Sequence, residues 1–219
     1  MNKLLYPSMM CANFENLANE VHALSDAGID AFHMDIMDGS FVPNFGMGMQ
    51  DYEYIVGATD VPVDAHLMIM NPGNYIDFFA DKGAKIIYFH PEAELQPART
   101  VDKIHARGMQ AGIAIDPGTS VESVRSLLTI ADRALVMTVN PGFAGQKYLS
   151  FVDEKIDELA SLQKELCFDI VVDGAISEER VLTLSKHGVR GFVLGTSALF
   201  GKKESYANII ARLKGKVLA

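Results

Sequence analysis

The sequence alternates short apolar runs with longer amphipathic segments, and this alternation repeats eight times. The short runs are β-branched or otherwise apolar and predict strands, and the segments between them predict helices. Strands that alternate with helices form parallel βαβ units, and eight such units close into a barrel. We therefore predict an α/β protein with a single (β/α)8 barrel, the TIM-barrel architecture, as one domain over residues 1–219.

The pattern predicts the position of each element. The predicted strands are Leu4–Met9, Ala31–Ile36, Val61–His66, Lys85–Phe89, Gln110–Ile115, Arg133–Met137, Phe168–Val172 and Gly191–Leu194. The predicted helices are Asn13–Ala27, Met49–Gly57, Pro72–Lys82, Pro97–Arg107, Ser120–Thr129, Lys147–Glu165, Ser177–Lys186 and Glu204–Lys214. Four glycines, Gly28, Gly83, Gly108 and Gly188, each follow a helix and precede a strand, where a left-handed residue commonly ends a helix.

Charge and composition exclude several classes of function. The net charge of −9, from 28 acidic and 19 basic residues, argues against binding to nucleic acid or to an anionic membrane surface. Two cysteines give no disulfide framework and are typical of a reducing compartment. The first ten residues lack a signal-peptide core, and no run approaches the length of a membrane span, so we expect a cytoplasmic protein.

Two histidines and two aspartates occupy the ends of predicted strands. His33 and Asp35 are two residues apart on one strand, so their side chains share a face, and His66 and Asp173 end two other strands. Imidazole with carboxylate suits Zn²⁺, Fe²⁺ or Mn²⁺ better than Ca²⁺ or Mg²⁺. In barrels of this kind the catalytic groups lie at the carboxyl ends of the strands, so the four residues predict a metal-dependent enzyme. Asp64 shares a face with His66 and is a candidate to orient a ligand.

Further polar residues and three methionines lie at the same predicted edge. Ser8, His90, Asp116 and Asn140 lie at or just beyond strand ends. The methionines are Met37, Met68 and Met137. Either they fill the core, as methionine often does, or their polarizable sulfurs line a pocket for a delocalised anion.

Three glycine-rich loops follow the last three predicted strands: Asn140–Gln146, Asp173–Ala175 and Gly195–Ser197. Glycine lets backbone N–H groups approach an anion, and loops after strands seven and eight often bind phosphate in these barrels. The segments Gly174–Ala175 and Gly195-Thr196-Ser197 are therefore candidates for a phosphate site, although ordinary tight turns would use the same residues.

Seven segments resemble the ribulose-phosphate 3-epimerase family. They are PSMMCANF, FHMDIMDGSFVPN, VPVDAHLMIMNPGNYI, AIDPGTSVES, VMTVNPGFAGQKY, IVVDGAIS and LGTSALFG, and they extend from the first strand to the last helix. The resemblance implies a metal-dependent enzyme that inverts C3 of a ketose phosphate through a 2,3-enediolate. It also implies a homo-oligomer, either a dimer or a hexamer.

The resemblance assigns roles by motif position. His33, Asp35, His66 and Asp173 correspond to ligands of one divalent ion per subunit, for which zinc is the first expectation and iron, manganese or cobalt the alternatives. Asp35 and Asp173 also correspond to the two acid/base catalysts. The implied substrate-binding residues are Ser8, Met37, His66, Met68, Met137, Gly142, Phe143, Ala144, Gly145, Asp173, Gly174, Ala175, Gly195, Thr196 and Ser197. Ala144 and Ala175 replace glycines that are usual in the family, and alanine restricts φ.

The substrate stays open at this point. D-Ribulose 5-phosphate, giving D-xylulose 5-phosphate, is the first expectation. FHPEAE after strand four and FAGQ in the Asn140–Gln146 loop look more like the D-allulose-6-phosphate branch, whose product is D-fructose 6-phosphate. A sugar-phosphate-binding barrel without catalysis is a third reading. A metal-independent isomerase or decarboxylase is disfavoured, because the predicted strand ends carry no inward lysine.

Overall fold

The computed structural model describes residues 2–215, in which eight strands alternate with eight helices. The strands are β1 (Leu4–Pro7), β2 (Asp35–Met37), β3 (Asp64–Met68), β4 (Ile86–Phe89), β5 (Gln110–Ile115), β6 (Arg133–Met137), β7 (Asp169–Asp173) and β8 (Val189–Leu194). The helices are α1 (Leu17–Asp26), α2 (Met49–Gly57), α3 (Ile76–Asp81), α4 (Pro97–Ala106), α5 (Val121–Leu128), α6 (Asp153–Leu166), α7 (Glu178–Leu184) and α8 (Tyr206–Leu213).

All strand pairs are parallel, and the sheet has the order β1-β8-β7-β6-β5-β4-β3-β2. A parallel bridge between Ser8 and His33 joins the two ends of this sheet. There the Met9 N–H donates to the His33 carbonyl at 3.0 Å, and the His33 N–H donates to the Pro7 carbonyl at 2.9 Å. The predicted single (β/α)8 barrel is confirmed, although residues 1 and 216–219 of the predicted domain lie outside the described part of the chain.

The predicted helix–glycine–strand joints have the expected conformation. Gly28, Gly83, Gly108 and Gly188 have φ values of 77°, 91°, 72° and 91°, which lie in the left-handed region. An added Cβ would be strained there, so glycine ends the helix at little cost. Within residues 2–215, the helices lack the combination of length and apolar composition needed to cross a bilayer.

The core has two layers, one between strands and helices and one inside the barrel. Inside, an ideal Cβ on Gly112 would lie only 2.1 Å from the Tyr88 ring, so the glycine makes room for the tyrosine. Where β5 and β6 begin, Arg133 donates hydrogen bonds to the Tyr6 hydroxyl at 2.6 Å and to the Gln110 side-chain oxygen at 2.9 Å. These large side chains fill the amino-terminal end of the barrel and leave room for a site at the other end.

Several predicted boundaries were wrong. The strand predicted at Ala31–Ile36 is regular only from Asp35, because its first half forms the isolated bridges Phe32–Val63 and Ser8–His33. The helix predicted to start at Lys147 begins at Asp153. Before it, the Leu149 N–H donates to the Thr138 carbonyl at 2.9 Å, which holds this segment to the end of β6.

Candidate metal centre and sugar-phosphate cavity

Four predicted ligand residues converge at the carboxyl end of the barrel. His33 lies two residues before β2, Asp35 begins that strand, His66 lies within β3 and Asp173 ends β7. One ligand atom from each residue lies within 4.8 Å of the other three. His33 Nε2 is 3.5 Å from Asp35 Oδ1 and 3.8 Å from Asp173 Oδ2, and His66 Nδ1 is 3.6 Å and 3.7 Å from the same two oxygens.

These atoms fit a divalent cation. His33 Nε2 and His66 Nδ1 are buried and have no hydrogen-bond partner among residues 2–215. Leaving a buried polar atom unsatisfied costs about 1–3 kcal/mol, so a bound cation would relieve that cost at two places. Two imidazole nitrogens and two carboxylate oxygens are a donor set that suits Zn²⁺, Fe²⁺ or Mn²⁺.

Neighbouring groups hold two of the candidate ligands in place. His33 Nδ1 lies 2.9 Å and 3.0 Å from the two carboxylate oxygens of the buried Asp64, which leaves Nε2 facing the cluster. The Ser8 hydroxyl donates to Asp35 Oδ2 at 2.6 Å and leaves Oδ1 free for the centre. Asp64 therefore orients His33, whereas the sequence placed it beside His66.

Burial and charge move the pKa values of the two aspartates in opposite directions. For Asp35, burial raises the pKa, but the adjacent His33 and His66 outweigh burial and hold the pKa well below its usual range. For Asp173, burial and repulsion by Asp35 raise the pKa to about 7. Burial lowers the pKa of His66 to about 4, so its ring is neutral at pH 7 and can act as a ligand.

Without a bound cation, His33 is protonated and carries the positive charge that balances the nearby carboxylates. Burial by itself lowers the pKa of His33, but the carboxylates of Asp64 and Asp35 outweigh burial and raise the pKa well above its usual value. A divalent cation would take over this role, since it also balances Asp35, and His33 would then bind it as a neutral ring.

A cavity opens beside the four residues, at the carboxyl end of the barrel. All predicted substrate-binding residues except His66 line this cavity, and Asp35 lines it too. The predicted residues that line it are Ser8, Asp35, Met37, Met68, Met137, Gly142, Phe143, Ala144, Gly145, Asp173, Gly174, Ala175, Gly195, Thr196 and Ser197. His33 and His66 are completely buried next to it.

The loop 140–146 packs against the loop after β2. The Asn44 side chain donates to the Gly142 carbonyl at 2.7 Å, and a Cβ on Gly142 would meet Val42 at 3.0 Å. The Gln146 side chain donates to the Asn140 and Phe143 carbonyls at 2.6 Å and 2.8 Å. These contacts hold the loop over the cavity in this structure.

The loop after β7 has an unusual backbone. Ala175 has φ +52°, in the left-handed region, where alanine is strained by roughly 1–2 kcal/mol relative to glycine. Ala144, in contrast, is not among the residues of positive φ within 2–215. Gly174 packs so closely that a Cβ would lie 2.8 Å from the Val139 backbone nitrogen. Thr138 Oγ1 donates to the Gly174 carbonyl.

The structure also places at the site residues that were not predicted to bind metal or substrate. His90 contacts His66. The further residues that line the cavity are Met10, Cys11, Val139, Asn140, Pro141, Gln146 and Val193. His90 and Asn140 were noted as polar residues at strand ends, which was the available signal. Cys11 and Val139 carry no such signal, because only their three-dimensional position distinguishes them from core residues.

Comparison with known proteins identifies the family of the chain. The model of the ribulose-phosphate 3-epimerase family matches residues 4–200. The chain belongs to this family. It is an epimerase, an isomerase acting on carbohydrates.

Curated relatives are similar over nearly the whole chain. A ribulose-phosphate 3-epimerase from Mycobacterium tuberculosis is 37% identical over 210 residues, which is 95% of this chain and 90% of the relative. Another from Aquifex aeolicus is 36% identical over 220 residues, covering 99% of this chain and 98% of the relative. Among solved structures, KGPDC from Streptococcus mutans aligns with a TM-score of 0.77 at 12% identity, covering 99% of both chains, and supports the fold alone.

Proposed function

We propose that this epimerase is metal-dependent and interconverts D-ribulose 5-phosphate and D-xylulose 5-phosphate. The observation that carries the proposal is the cluster of His33, Asp35, His66 and Asp173, whose ligand atoms face one centre next to a cavity. The names of the curated relatives supply the substrate, and they agree with a cavity that ends in glycine-rich loops.

The reaction needs two proton-transfer groups. The proton on C3 is α to the C2 carbonyl, and its removal gives a 2,3-enediolate. Inversion then requires delivery of a proton to the opposite face, which one carboxylate cannot reach. Asp35 and Asp173 come from strands that are separated by β1 and β8, so they can face opposite sides of a bound sugar.

The opposite pKa shifts support this division of roles. Without a bound cation, Asp35 is held ionised and can remove a proton, whereas Asp173, with a pKa of about 7, can hold one. The two exchange roles when the opposite epimer binds. A divalent ion held by His33, Asp35, His66 and Asp173 would act as a Lewis acid toward the substrate oxygens and stabilise the enediolate charge.

The remaining lining residues would bind the rest of the substrate. The backbone N–H groups of Gly174, Ala175 and Gly195–Ser197 are proposed to bind the phosphate, because glycine-rich segments allow close approach of an anion. The methionines Met37, Met68 and Met137 line the same cavity as the two acids and are proposed to keep water away from the enediolate. The loop 140–146 is the proposed lid.

Replacing either acid by its amide tests the proton-transfer proposal. Asp35→Asn and Asp173→Asn should each lower kcat by at least about 10²–10⁴, the usual contribution of general acid–base catalysis. Exposed Asp60→Asn is the matched control and should retain full activity. The direct readout is turnover in D₂O, where solvent deuterium should appear at C3 of the product. Turnover that leaves C3 free of deuterium would rule out the two-acid mechanism.

The six-carbon substrate of the D-allulose-6-phosphate branch is kept as the alternative, because of the segments FHPEAE and FAGQ. Comparison of kcat/KM for D-ribulose 5-phosphate and D-allulose 6-phosphate, after loading with Zn²⁺, Fe²⁺, Mn²⁺ or Co²⁺, decides between them. The homo-oligomeric state, dimer or hexamer, also stays a prediction, to be measured by sedimentation.

A further inference from the structure

His90 lies outside the proposed ligand set but contacts it directly. It follows β4, is completely buried, and its Nε2 lies 2.9 Å from Nε2 of His66. The two rings are inclined by only 23°, with centroids 5.0 Å apart, so they lie nearly edge to edge in one plane. This is the arrangement of a ring-to-ring hydrogen bond, in which one nitrogen must carry the proton and the other must accept it.

Metal binding by His66 determines which of the two Nε2 atoms carries the shared proton. His66 Nδ1 faces Asp35 and Asp173, and it can bind a cation only without a proton. The proton of the neutral His66 ring is then on Nε2, which donates to His90. His90 must accept at Nε2, and so its own proton is on Nδ1.

On the other side of the His90 ring, Nδ1 faces a carboxylate that can accept a hydrogen bond from it. His90 Nδ1 lies 3.1 Å from Asp116 Oδ1, in the loop after β5. Neither atom has an aligned hydrogen-bond partner among residues 2–215, so each is available to the other after a small rotation. A single ordered chain therefore extends from the cluster through His66 and His90 to Asp116.

The same reasoning disfavours a second metal site. His90, Glu92 and Asp116 offer ligand atoms within 4.8 Å of one another. A cation there would need His90 Nδ1 without a proton, which would place the proton on Nε2 facing His66. His66 would then carry its proton on Nδ1, and the first cluster would lose a ligand. Only one of the two clusters can therefore use its histidine at a time.

We propose that His90 is a positioning residue that fixes His66 in the ring form that binds a cation, with Asp116 fixing His90 in turn. The proposal rests on the metal dependence proposed above. His33 provides a parallel within the same site, since Asp64 contacts its far nitrogen directly. The partner of His66 is the His90 ring instead of a carboxylate, and the carboxylate of Asp116 lies on the far side of that ring.

The test measures the affinity for Zn²⁺ itself, by competition with a chromophoric chelator. His90→Phe keeps a ring beside Phe41 but removes the acceptor, and it should weaken Zn²⁺ binding about 10–100-fold, the usual effect of losing such a partner. His90→Gln restores an acceptor oxygen and should recover most of the affinity. His187→Phe, at an exposed histidine, is the control and should bind Zn²⁺ as the wild type does.

A second readout does not depend on any variant. Long-range ¹H–¹⁵N NMR of the zinc-loaded wild type should show His66 protonated at Nε2 and His90 protonated at Nδ1. A proton on His90 Nε2, or wild-type Zn²⁺ affinity in His90→Phe, would overturn the positioning role while leaving the metal centre intact. Failure of the wild type to bind Zn²⁺, Fe²⁺, Mn²⁺ or Co²⁺ would overturn both proposals.

Discussion

Among single residues outside the catalytic cluster, Asp38 has a clear physical role. Its carboxylate accepts backbone N–H groups of Ser40, Phe41 and Met70 at 2.8, 2.9 and 2.8 Å, and so it joins the loops after β2 and β3. Partial burial raises its pKa, but these three donors outweigh burial and lower it. The carboxylate therefore stabilises the loops that directly follow Met37 and Met68.

Asp38→Asn should lower the free energy of unfolding at pH 7 by about 1–3 kcal/mol, because the amide offers one acceptor and turns an N–H toward another donor. Since the pKa is lower in the folded protein, the stabilising effect is fully present above the unfolded pKa of about 3.9 and is lost as the pH falls through the lower pKa of the folded protein. Urea unfolding at pH 7 and pH 3 measures this effect. The difference in stability between wild type and variant should be smaller at pH 3 than at pH 7, and Asp60→Asn should match the wild type at both values. A difference between wild type and Asp38→Asn that does not change with pH would contradict this role.

At the level of strands, the interior of the barrel depends on glycine next to tyrosine. Gly112 in β5 faces the Tyr88 ring, and Gly191 in β8 lies close to Tyr6 and Val171 in the same way. A methyl group at position 112 would force the buried ring or the strand to move. Overpacking of this kind usually costs about 1–3 kcal/mol.

Gly112→Ala should therefore destabilise the protein by about that amount, measured by urea unfolding, and should lower activity because β4 leads into His90. Gly118→Ala is the matched control, since its added Cβ would have nothing within 4 Å. It should leave stability unchanged or slightly raised. Equal stability of the two variants would show that the barrel interior tolerates the extra carbon.

Elements with strong local sequence patterns were predicted well. Boundaries that depend on pairing with a distant strand were predicted less well. The left-handed glycines and the helices capped by Ser120, Ser177 and Ser205 follow from local chemistry. The early end predicted for β3 was wrong, because its pairing with β2 through Met68 depends on a partner 31 residues away. Distant pairings of this kind leave no periodic signal in the sequence.

For the whole molecule, the four proposed ligands connect β2, β3 and β7, so a bound cation would stabilise the entire fold. A ligand that binds only the folded state, at 100 times its dissociation constant, contributes about 2.7 kcal/mol. For a chain of this size that corresponds to about 5–10 °C in Tm. Calorimetry should show this loss on treatment with a chelator and its recovery with Zn²⁺. The Tm of Asp173→Asn should change much less under both treatments. A wild-type Tm that changes with neither chelator nor Zn²⁺ would argue against the metal site.

The structure brings together the four residues that the sequence predicted as metal ligands, although their role stays a prediction. Two residues that share a strand face, such as His33 and Asp35, can be placed together from spacing alone. The contact between His66 and His90 could not be predicted, because β3 and β4 had first to be aligned in register. The left-handed Ala175 was also unexpected, since its sequence favours ordinary φ values.

The uneven exposure of the four residues has a consequence for the order of events. His33 and His66 are sealed from solvent, Asp35 is nearly so, and the side chain of Asp173 retains 15% of its exposure. An ion arriving from outside would enter past Asp173, through the space that the sugar later fills. The ion would then bind before the substrate. The enzyme would release the bound ion slowly, so that the same ion serves many turnovers.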